Sequence, residues 1–289
     1  MCLAPTTTRK DGTPISVYYT CGDCFECYKK RAIEWSTRVG HELASYEDNI
    51  FVTLTYDDQK LVYDKDGTPS YNFDYTDFQA FMKRLRTRIP NTRIRYFTSI
   101  EYGGKNGRLH FHAILFNFHP NLQRRNKTTP TAIAPSGFQL YHSSFLEELW
   151  PHGFHSFSEA SVETAYYIAS YALSDSTFVN DMGEILSDKL KCSQGIGLDF
   201  FIVHMDNIIS QAIHYKRSIP RYYRKKLLAA FPLQHKKMEN LLVDLKKTFK
   251  NKPDDTYARI IDFEKKNKKM LFRNEQPYDF DSAKSYYRP

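Results

Sequence analysis

The sequence predicts an α+β fold, with an antiparallel central sheet and flanking helices. Residues 49–56 are rich in β-branched and aromatic side chains, which predicts a strand. Two further runs, residues 95–102 and 108–116, flank the glycine-rich segment 103–107, and this arrangement predicts a hairpin. Segments with apolar residues at helical spacing precede and follow these strands, so we expect helices packed against the sheet.

The N-terminal part of the chain alternates predicted helices with these strands. Residues 28–46 and 75–89 predict amphipathic helices, because their apolar side chains recur three and four positions apart. A polar connection at residues 57–75 precedes the second of them. The exposed side of the second helix is basic, which suits either simple solvation or contact with a DNA backbone. Its basic side chains are Lys83, Arg84, Arg86 and Arg88.

The C-terminal part is less regular. Residues 119–135 predict a basic loop, 140–150 a helix, 152–159 a short strand and 162–173 an alanine-rich helix. Near the end, residues 236–250 predict a lysine-rich helix, followed by a polar stretch that we expect to be disordered. These patterns predict three parts, which are an N-terminal cysteine-containing segment with a helix at 1–48, a central domain at 49–230 and a basic tail at 231–289.

A histidine pair lies at the head of the third predicted strand. Side chains alternate across a strand, so His110 and His112 share one face while Phe111 points to the other. Two imidazoles about 7 Å apart along a strand can chelate a divalent metal. The same spacing also occurs in strands with no metal, so its surroundings decide the interpretation.

Glu101 supplies those surroundings. It lies at the end of the preceding strand, and folding back about the glycine-rich loop brings it near His110, with facing Cβ atoms about 5 Å apart. One carboxylate and two imidazoles suit Mg²⁺ or Mn²⁺ with coordination positions left for substrate oxygens. A structural zinc site would more often use thiolates and close its coordination sphere. We therefore predict that Glu101, His110 and His112 form a catalytic metal site.

Two tyrosines in the alanine-rich helix are candidate nucleophiles. Tyr167 and Tyr171 are four residues apart, so their phenols share one helical face. Tyr166 is rotated about 100° away and is expected to pack inward. Tyrosines at helical spacing are usually core residues, but a phenol beside a metal-polarised electrophile can attack it covalently.

The five cysteines are an odd number, and three of them are clustered. Four thiolates from two separate pieces of chain could form a closed tetrahedral zinc site. An iron–sulfur cluster and free structural thiols are the alternatives, and Cys192 lies outside the cluster. The predicted zinc ligands are Cys2, Cys21, Cys24 and Cys27.

The composition favours a polyanionic partner. The 289 residues carry 41 Lys and Arg against 33 Asp and Glu, which gives a formal charge of +8. The 21 Tyr and 21 Phe exceed what a core alone requires and offer surfaces for unpaired bases. No apolar run could span a bilayer, and the N-terminus lacks a signal-peptide pattern. We therefore expect a cytoplasmic protein without a membrane partner.

In order and spacing, these motifs resemble those of the His-hydrophobe-His rolling-circle replication initiators, particularly those of microvirus-type single-stranded DNA phages. The resemblance covers roughly residues 1–230. The segments shared with the superfamily are Phe51-Val52-Thr53-Leu54-Thr55-Tyr56, Glu101-Tyr102-Gly103, Gly107-Arg108-Leu109-His110-Phe111-His112 and Tyr167 to Tyr171. The segments shared with the phage subgroup are Cys21-Gly22-Asp23-Cys24-Phe25-Glu26-Cys27, Leu149-Trp150-Pro151-His152-Gly153-Phe154, Gly195-Ile196-Gly197 and Ile219-Pro220-Arg221-Tyr222-Tyr223.

The resemblance implies a ferredoxin- or RRM-like palm and an endonuclease domain at residues 49–230. It implies that a tyrosine nicks origin DNA with the help of Mg²⁺ or Mn²⁺, leaving a 5′-phosphotyrosine and a 3′-OH primer. The expected partners are single-stranded and origin DNA, a host helicase and a host DNA polymerase, in the host bacterial cytoplasm. The predicted DNA-binding residues are Lys105, Arg108, Arg221 and Arg224.

The chain departs from the family pattern next to the second tyrosine. A lysine commonly follows that tyrosine by three positions and a basic residue often precedes it, whereas this chain has Ser174 and Ser170. Arg108, Lys105 or the metal could supply the missing positive charge. Two alternatives follow, a relaxase or single-strand transposase of the same superfamily and a non-catalytic single-stranded DNA-binding protein. The cysteine cluster argues against the first, and the missing lysine favours the second.

Overall fold

The computed structural model describes residues 6–8, 14–19, 25–60, 75–102, 109–134, 137–173, 190–215 and 218–250. The strands are β1 (Thr6–Thr8), β2 (Pro14–Tyr19), β3 (Asn49–Tyr56), β4 (Arg95–Tyr102), β5 (Leu109–Phe116), β6 (Thr128–Ile133), β7 (Gln139–Ser143), β8 (Gly153–Glu159) and β9 (Leu190–Cys192). The α-helices are α1 (Phe25–Leu43), α2 (Tyr75–Arg88), α3 (Ser144–Leu149), α4 (Val162–Leu173), α5 (Leu198–Val203), α6 (Met205–His214), α7 (Arg221–Ala230) and α8 (Pro232–Lys250).

Seven of these strands form one antiparallel sheet in the order β6-β7-β8-β3-β5-β4-β9. The three strands predicted first, β3, β5 and β4, lie next to one another at its centre, and β1 pairs with β2 in a separate hairpin. The mixed fold with an antiparallel sheet and flanking helices confirms the predicted α+β class. None of the helices within the described ranges has the length and apolar character needed to cross a membrane.

Alternating side chains of the central strands fill two separate cores. Val52 and Leu54 of β3 pack on one face with apolar residues of α2 and α3. Phe51 points to the opposite face, which we call the site face, and packs there with residues of α1 and α4. Period-two alternation in β3 therefore supports helices on both faces of the sheet.

The described residues fall into two compact units, one up to residue 200 and one from residue 201 onward. The first contains the large sheet. In the second, Phe201 stacks on Tyr223 with ring centroids 4.3 Å apart, and α8 packs with α6 and α7. The domain boundaries predicted at residues 48/49 and 230/231 stay predictions, and the stretch after residue 250 that we expect to be disordered lies outside the described residues.

The predicted elements agree best at the centre of the sheet. β3 and α4 have the predicted bounds, and β8 and α2 differ from the prediction by one residue at one end. Two predictions between β5 and β8 were wrong. The predicted loop at 119–135 contains β6, and the predicted helix at 140–150 begins as β7 and becomes helical only at α3.

Long-range pairing explains both errors. β7 pairs with β6 along its length and touches β8 at Tyr141 opposite Phe157, so its residues are held extended by neighbours that a local pattern does not reveal. Ser143 then ends the strand and caps the helix, because its hydroxyl accepts a hydrogen bond from the Leu146 amide at 3.2 Å.

A buried ion pair joins α1 to the start of β4. Arg95 Nη1 lies 2.7 Å from Glu42 Oε1, with the two side chains 6% and 3% exposed. The Gly197 amide donates to the other carboxylate oxygen at 2.7 Å, and Arg95 also donates to the Gln194 carbonyl at 2.6 Å. Burial is the largest influence on Glu42 and raises the pKa of its carboxyl.

Candidate metal and tyrosine site

Glu101, His110 and His112 converge on the site face of the central strands. β4 and β5 pair so that Glu101 lies directly opposite His110. Glu101 Oε2 is 3.1 Å from His112 Nε2 and 3.9 Å from His110 Nε2. The candidate ligand atoms of the three residues all lie within 4.8 Å of one another. The geometry therefore brings together the three residues predicted as metal ligands.

The donor set fits a divalent cation. Two imidazole nitrogens and one carboxylate oxygen supply three ligands from rigid neighbouring strands, which leaves coordination positions for substrate oxygens. His112 is 1% exposed, whereas His110 and Glu101 are 13% and 19% exposed. The cluster is therefore anchored at His112 and remains accessible from the side of the other two residues.

The local charges keep Glu101 ready to act as an anionic ligand. Burial raises the pKa of its carboxyl. Hydrogen bonds with His112 and Tyr167, together with the charge of both imidazoles, outweigh that effect and hold the pKa below its usual range. An ionised carboxylate beside neutral imidazoles is the protonation state that metal binding requires.

Thr53 orients the buried histidine. It lies directly opposite His112 in the β3–β5 pairing, and its Oγ1 is 3.0 Å from His112 Nδ1. Phe51 stacks against the same imidazole, with centroids 5.5 Å apart and an angle of 12° between the rings. The tautomer with hydrogen on Nδ1 donates to Thr53, which leaves the Nε2 lone pair on the side of Glu101.

The sequence contained Thr53 in the first shared motif but gave no role for it. Alternation along β3 predicts that Thr53 and Thr55 share the site face. Only the register between strands far apart in the chain identifies which of the two contacts His112.

Tyr167 reaches the same cluster from α4. Its hydroxyl donates to Glu101 Oε2 at 3.4 Å, and its ring packs edge-on against His112, with centroids 5.3 Å apart. Tyr171 lies one helical turn further along α4, and its side chain is outside the described residues. Tyr166, which was expected to pack inward, is 37% exposed instead, because the site face occupies the side of α4 that carries Tyr167.

The remaining predicted residues are not brought to this cluster. Lys105 and Arg108 lie outside the described residues. In the second unit, Arg221 is exposed at the start of α7, and Arg224 forms a two-point ion pair with Glu239 of α8, with its closest contact at 2.8 Å. The DNA-binding role of these four residues stays a prediction.

The zinc site also stays a prediction. Cys27 is buried on α1, while Cys2, Cys21 and Cys24 lie outside the described residues. Cys192 lies on β9 opposite Phe97. If the four clustered cysteines bind zinc, the purified, reduced protein should contain about one zinc per chain.

Comparison with known proteins identifies the same segment of chain. Residues 49–176 match the replication-associated protein ORF2 family. This range begins at the first residue of β3 and ends just after α4, so it includes Thr53, Glu101, His110, His112 and both candidate tyrosines. No solved structure matches the chain.

Three curated phage proteins are similar to the chain. It is 34% identical over 173 residues to the replication-associated protein VP4 of Bdellovibrio phage phiMH2K, which covers 57% of this chain and 51% of that protein. It is 31% identical over 219 residues to the replication-associated protein ORF2 of Spiroplasma virus 4, covering 72% and 67%. It is 28% identical over 217 residues to the replication-associated protein ORF4 of Chlamydia phage 1, covering 71% and 52%. The chain therefore spans about half the length of two of these relatives and two thirds of the third.

Proposed function

The chain belongs to the replication-associated proteins of microvirus-like phages, and from that premise we propose that it initiates rolling-circle replication by nicking single-stranded DNA at an origin. The observation that carries this proposal is the hydroxyl of Tyr167, which lies 3.4 Å from the carboxylate of the Glu101–His110–His112 cluster. A candidate nucleophile and a candidate metal site thus meet at one point of the sheet.

The cluster would hold the scissile phosphate in place. A divalent ion bound by Glu101, His110 and His112, Mg²⁺ or Mn²⁺, would supply positive charge to the phosphate oxygens. The protein's own contribution is rigidity, because all three ligands project from two paired strands. The partial exposure of His110 and Glu101 leaves the substrate a way in.

The covalent step exchanges one phosphate ester for another. The phenol oxygen of Tyr167 attacks the phosphorus and forms the new O–P bond as its proton is lost. The bond from phosphorus to the 3′ oxygen breaks, and that oxygen leaves with the electron pair and takes up a proton. The products are a 5′-phosphotyrosine and a free 3′-OH, which a host polymerase can extend with the help of a host helicase.

Tyr171 is proposed as the second nucleophile. It lies one turn from Tyr167 on α4, and a second attack is needed to cut the displaced strand and rejoin the circle. Lys105, Arg108, Arg221 and Arg224 are the basic residues proposed to bind the DNA backbone, which would account for much of the affinity.

A denaturation-resistant protein–DNA adduct tests the proposal directly. The chain is incubated with labelled single-stranded origin DNA and Mn²⁺, denatured, and resolved by electrophoresis, and the attachment site is mapped by peptide analysis. We expect Tyr167→Phe and Tyr171→Phe to retain some adduct and the double variant to retain none. Tyr166→Phe is the matched control on the same helix and should behave as the wild type.

The alternatives give different results in the same experiment. Binding of the DNA without any adduct would favour a non-catalytic single-stranded DNA-binding protein. Attachment to Tyr166, or to a tyrosine outside α4, would refute the proposed active site.

A further inference from the structure

Phe154 is a large apolar side chain on the open part of the site face. It lies on β8 and is 58% exposed. Ser156 and Ser158, which follow it on the same face, are both polar. Burying a phenylalanine contributes about 1.5–3 kcal/mol to folding, and a side chain with this exposure contributes little of that. The position of Phe154 in the sheet suggests what the exposed ring does.

The strand register aligns Phe154 with the metal cluster. Phe154 lies opposite Thr55 of β3, Thr55 lies opposite His110 of β5, and His110 lies opposite Glu101 of β4. The four residues thus form one row across four neighbouring strands on one face. Adjacent strands are about 4.8 Å apart, so Phe154 and His110 are separated by about 10 Å.

Gly153 fixes the backbone that carries this ring. Its φ is +153°, and a Cβ at this position would lie 2.3 Å from the Asp57 amide nitrogen and 2.5 Å from the Thr55 carbonyl oxygen. The Asp57 amide also donates to the His152 carbonyl at 2.9 Å. Only glycine permits this close approach of β8 to the end of β3, so the base of Phe154 is held rigidly beside the row.

We propose that Phe154 is a stacking platform for an unpaired base of the DNA strand whose phosphate lies at the Glu101–His110–His112 cluster. This inference rests on the proposed function, because it takes the substrate to be single-stranded DNA. A separation of about 10 Å corresponds to at most about three nucleotides, since even stacked duplex DNA advances roughly 3.4 Å per nucleotide. The bound base is therefore a close neighbour of the scissile phosphate.

The chemistry of the side chain defines the contact. A phenyl ring has no hydrogen-bonding group, so it offers a π-face to any base and does not read sequence. Its function is to fix the path of the strand across the sheet, so that the phosphate arrives at the cluster in one register.

The test measures DNA binding without cleavage. Fluorescence anisotropy of a labelled short oligothymidylate is recorded in EDTA with the full chain, with Phe154→Leu, which removes the aromatic ring, and with Phe154→Tyr, which keeps it. We expect Phe154→Leu to bind about tenfold more weakly, in the range known for loss of one base–aromatic stack. Phe154→Tyr should bind within about twofold of the wild type. Ile133→Ala, at a residue of β6 that is 71% exposed, is the control and should have no effect.

Three outcomes would overturn the inference, namely wild-type binding by Phe154→Leu, an equal loss in Phe154→Tyr, and an equal loss in Ile133→Ala. Because no metal or cleavage is involved, these results are independent of whether the protein nicks DNA. Thermal unfolding of each variant checks the fold. If Phe154→Leu does not fold, photocrosslinking of the wild type to oligothymidylate containing 5-iododeoxyuridine decides the matter, since attachment at Phe154 supports the platform and attachment only elsewhere refutes it.

Discussion

The two ends of β4 hold two buried carboxylate clusters on the same face, and the clusters differ in what satisfies the carboxylate. Arg95 and Glu101 are six residues apart, or roughly 20 Å along the strand. At the Arg95 end, Glu42 is bound by a guanidinium and a backbone amide, both of which are fixed donors. At the Glu101 end, the partners are two imidazoles and a phenol.

This difference separates a structural cluster from a ligand-binding one. A guanidinium cannot give up its proton, and a backbone amide cannot move, so Glu42 has nothing to exchange for a ligand. Neutral imidazoles can exchange a hydrogen bond for a metal, and a phenol can become a nucleophile. Exposure follows the same division, because Glu42 is 3% exposed and Glu101 is 19% exposed.

The largest expected effect is on chemistry at the Glu101 end. His112→Ala and His110→Ala should each reduce adduct formation by about a thousandfold or more, since a bound metal supplies several kcal/mol of charge stabilisation. Binding to DNA, measured by anisotropy in EDTA, should change little because affinity comes mainly from phosphate contacts. His235→Ala on α8 is the control. Normal adduct yield from both site variants would remove the distinction between the two ends of β4.

The next effect is on stability at the Arg95 end. Arg95→Leu leaves the Glu42 carboxylate buried without its cation, so the free energy of unfolding in urea should fall by about 3–5 kcal/mol. Arg88→Leu is the matched control, because Arg88 pairs with Glu148 at 3.1 Å on the surface, where the two side chains are 54% and 60% exposed. That change should cost less than about 1 kcal/mol. Equal losses in the two variants would show that burial does not distinguish these ion pairs.

A third buried group, His155, should behave like the structural end. It is 9% exposed on β8, and its Nε2 accepts a hydrogen bond from the Ser143 amide at 3.1 Å. Burial, and secondarily the charge of His142, lowers the pKa of His155 to about 4. The unfolded chain binds this proton near pH 6.5 and the folded chain only near pH 4, so stability should fall as the pH drops through that window. The loss should reach about 3 kcal/mol.

Urea unfolding at several pH values measures this effect. Replacing His155 with glutamine keeps an acceptor for the Ser143 amide and removes the titration, so His155→Gln should lose less stability between pH 6.5 and about 4 than the wild type. Identical pH dependence in the two proteins would show that His155 does not resist protonation in the fold.

The sequence predicted the Glu101 end of β4 and missed the Arg95 end, for a physical reason. Glu101 and His110 are neighbours across one hairpin, and alternation along a strand places His112 on the same face, so local rules suffice. The Glu42 cluster depends on Gly197, which is 155 residues away in the chain. β6 and β7 were missed for the same reason, because extended structure at a sheet edge is decided by its partner strand.

Thr53 is the residue on which a local motif and long-range pairing meet, and it gives the smallest expected effect. Its hydroxyl is bonded across 59 residues to the one nitrogen of His112 that faces away from Glu101. Removing the hydroxyl would leave the ring in place, held by Phe51, but with no preference for the metal-binding tautomer. Thr53→Val, which keeps the shape of the side chain, should therefore weaken Mn²⁺ binding by about tenfold to a hundredfold.

Thr53→Ser is the decisive companion to this variant. It keeps the hydroxyl and deletes a methyl group, so it should retain near-wild-type Mn²⁺ affinity if the hydrogen bond is what matters. A role in packing alone would give the reverse order, with serine the more damaging change, because valine fills the space and serine does not. Calorimetric titration of Mn²⁺ into the two variants separates these cases without any DNA. Retained affinity in Thr53→Val would mean that Phe51 and the strand backbone orient His112 by themselves, in which case the polar end of β4 needs no hydrogen bond from β3 to bind its metal.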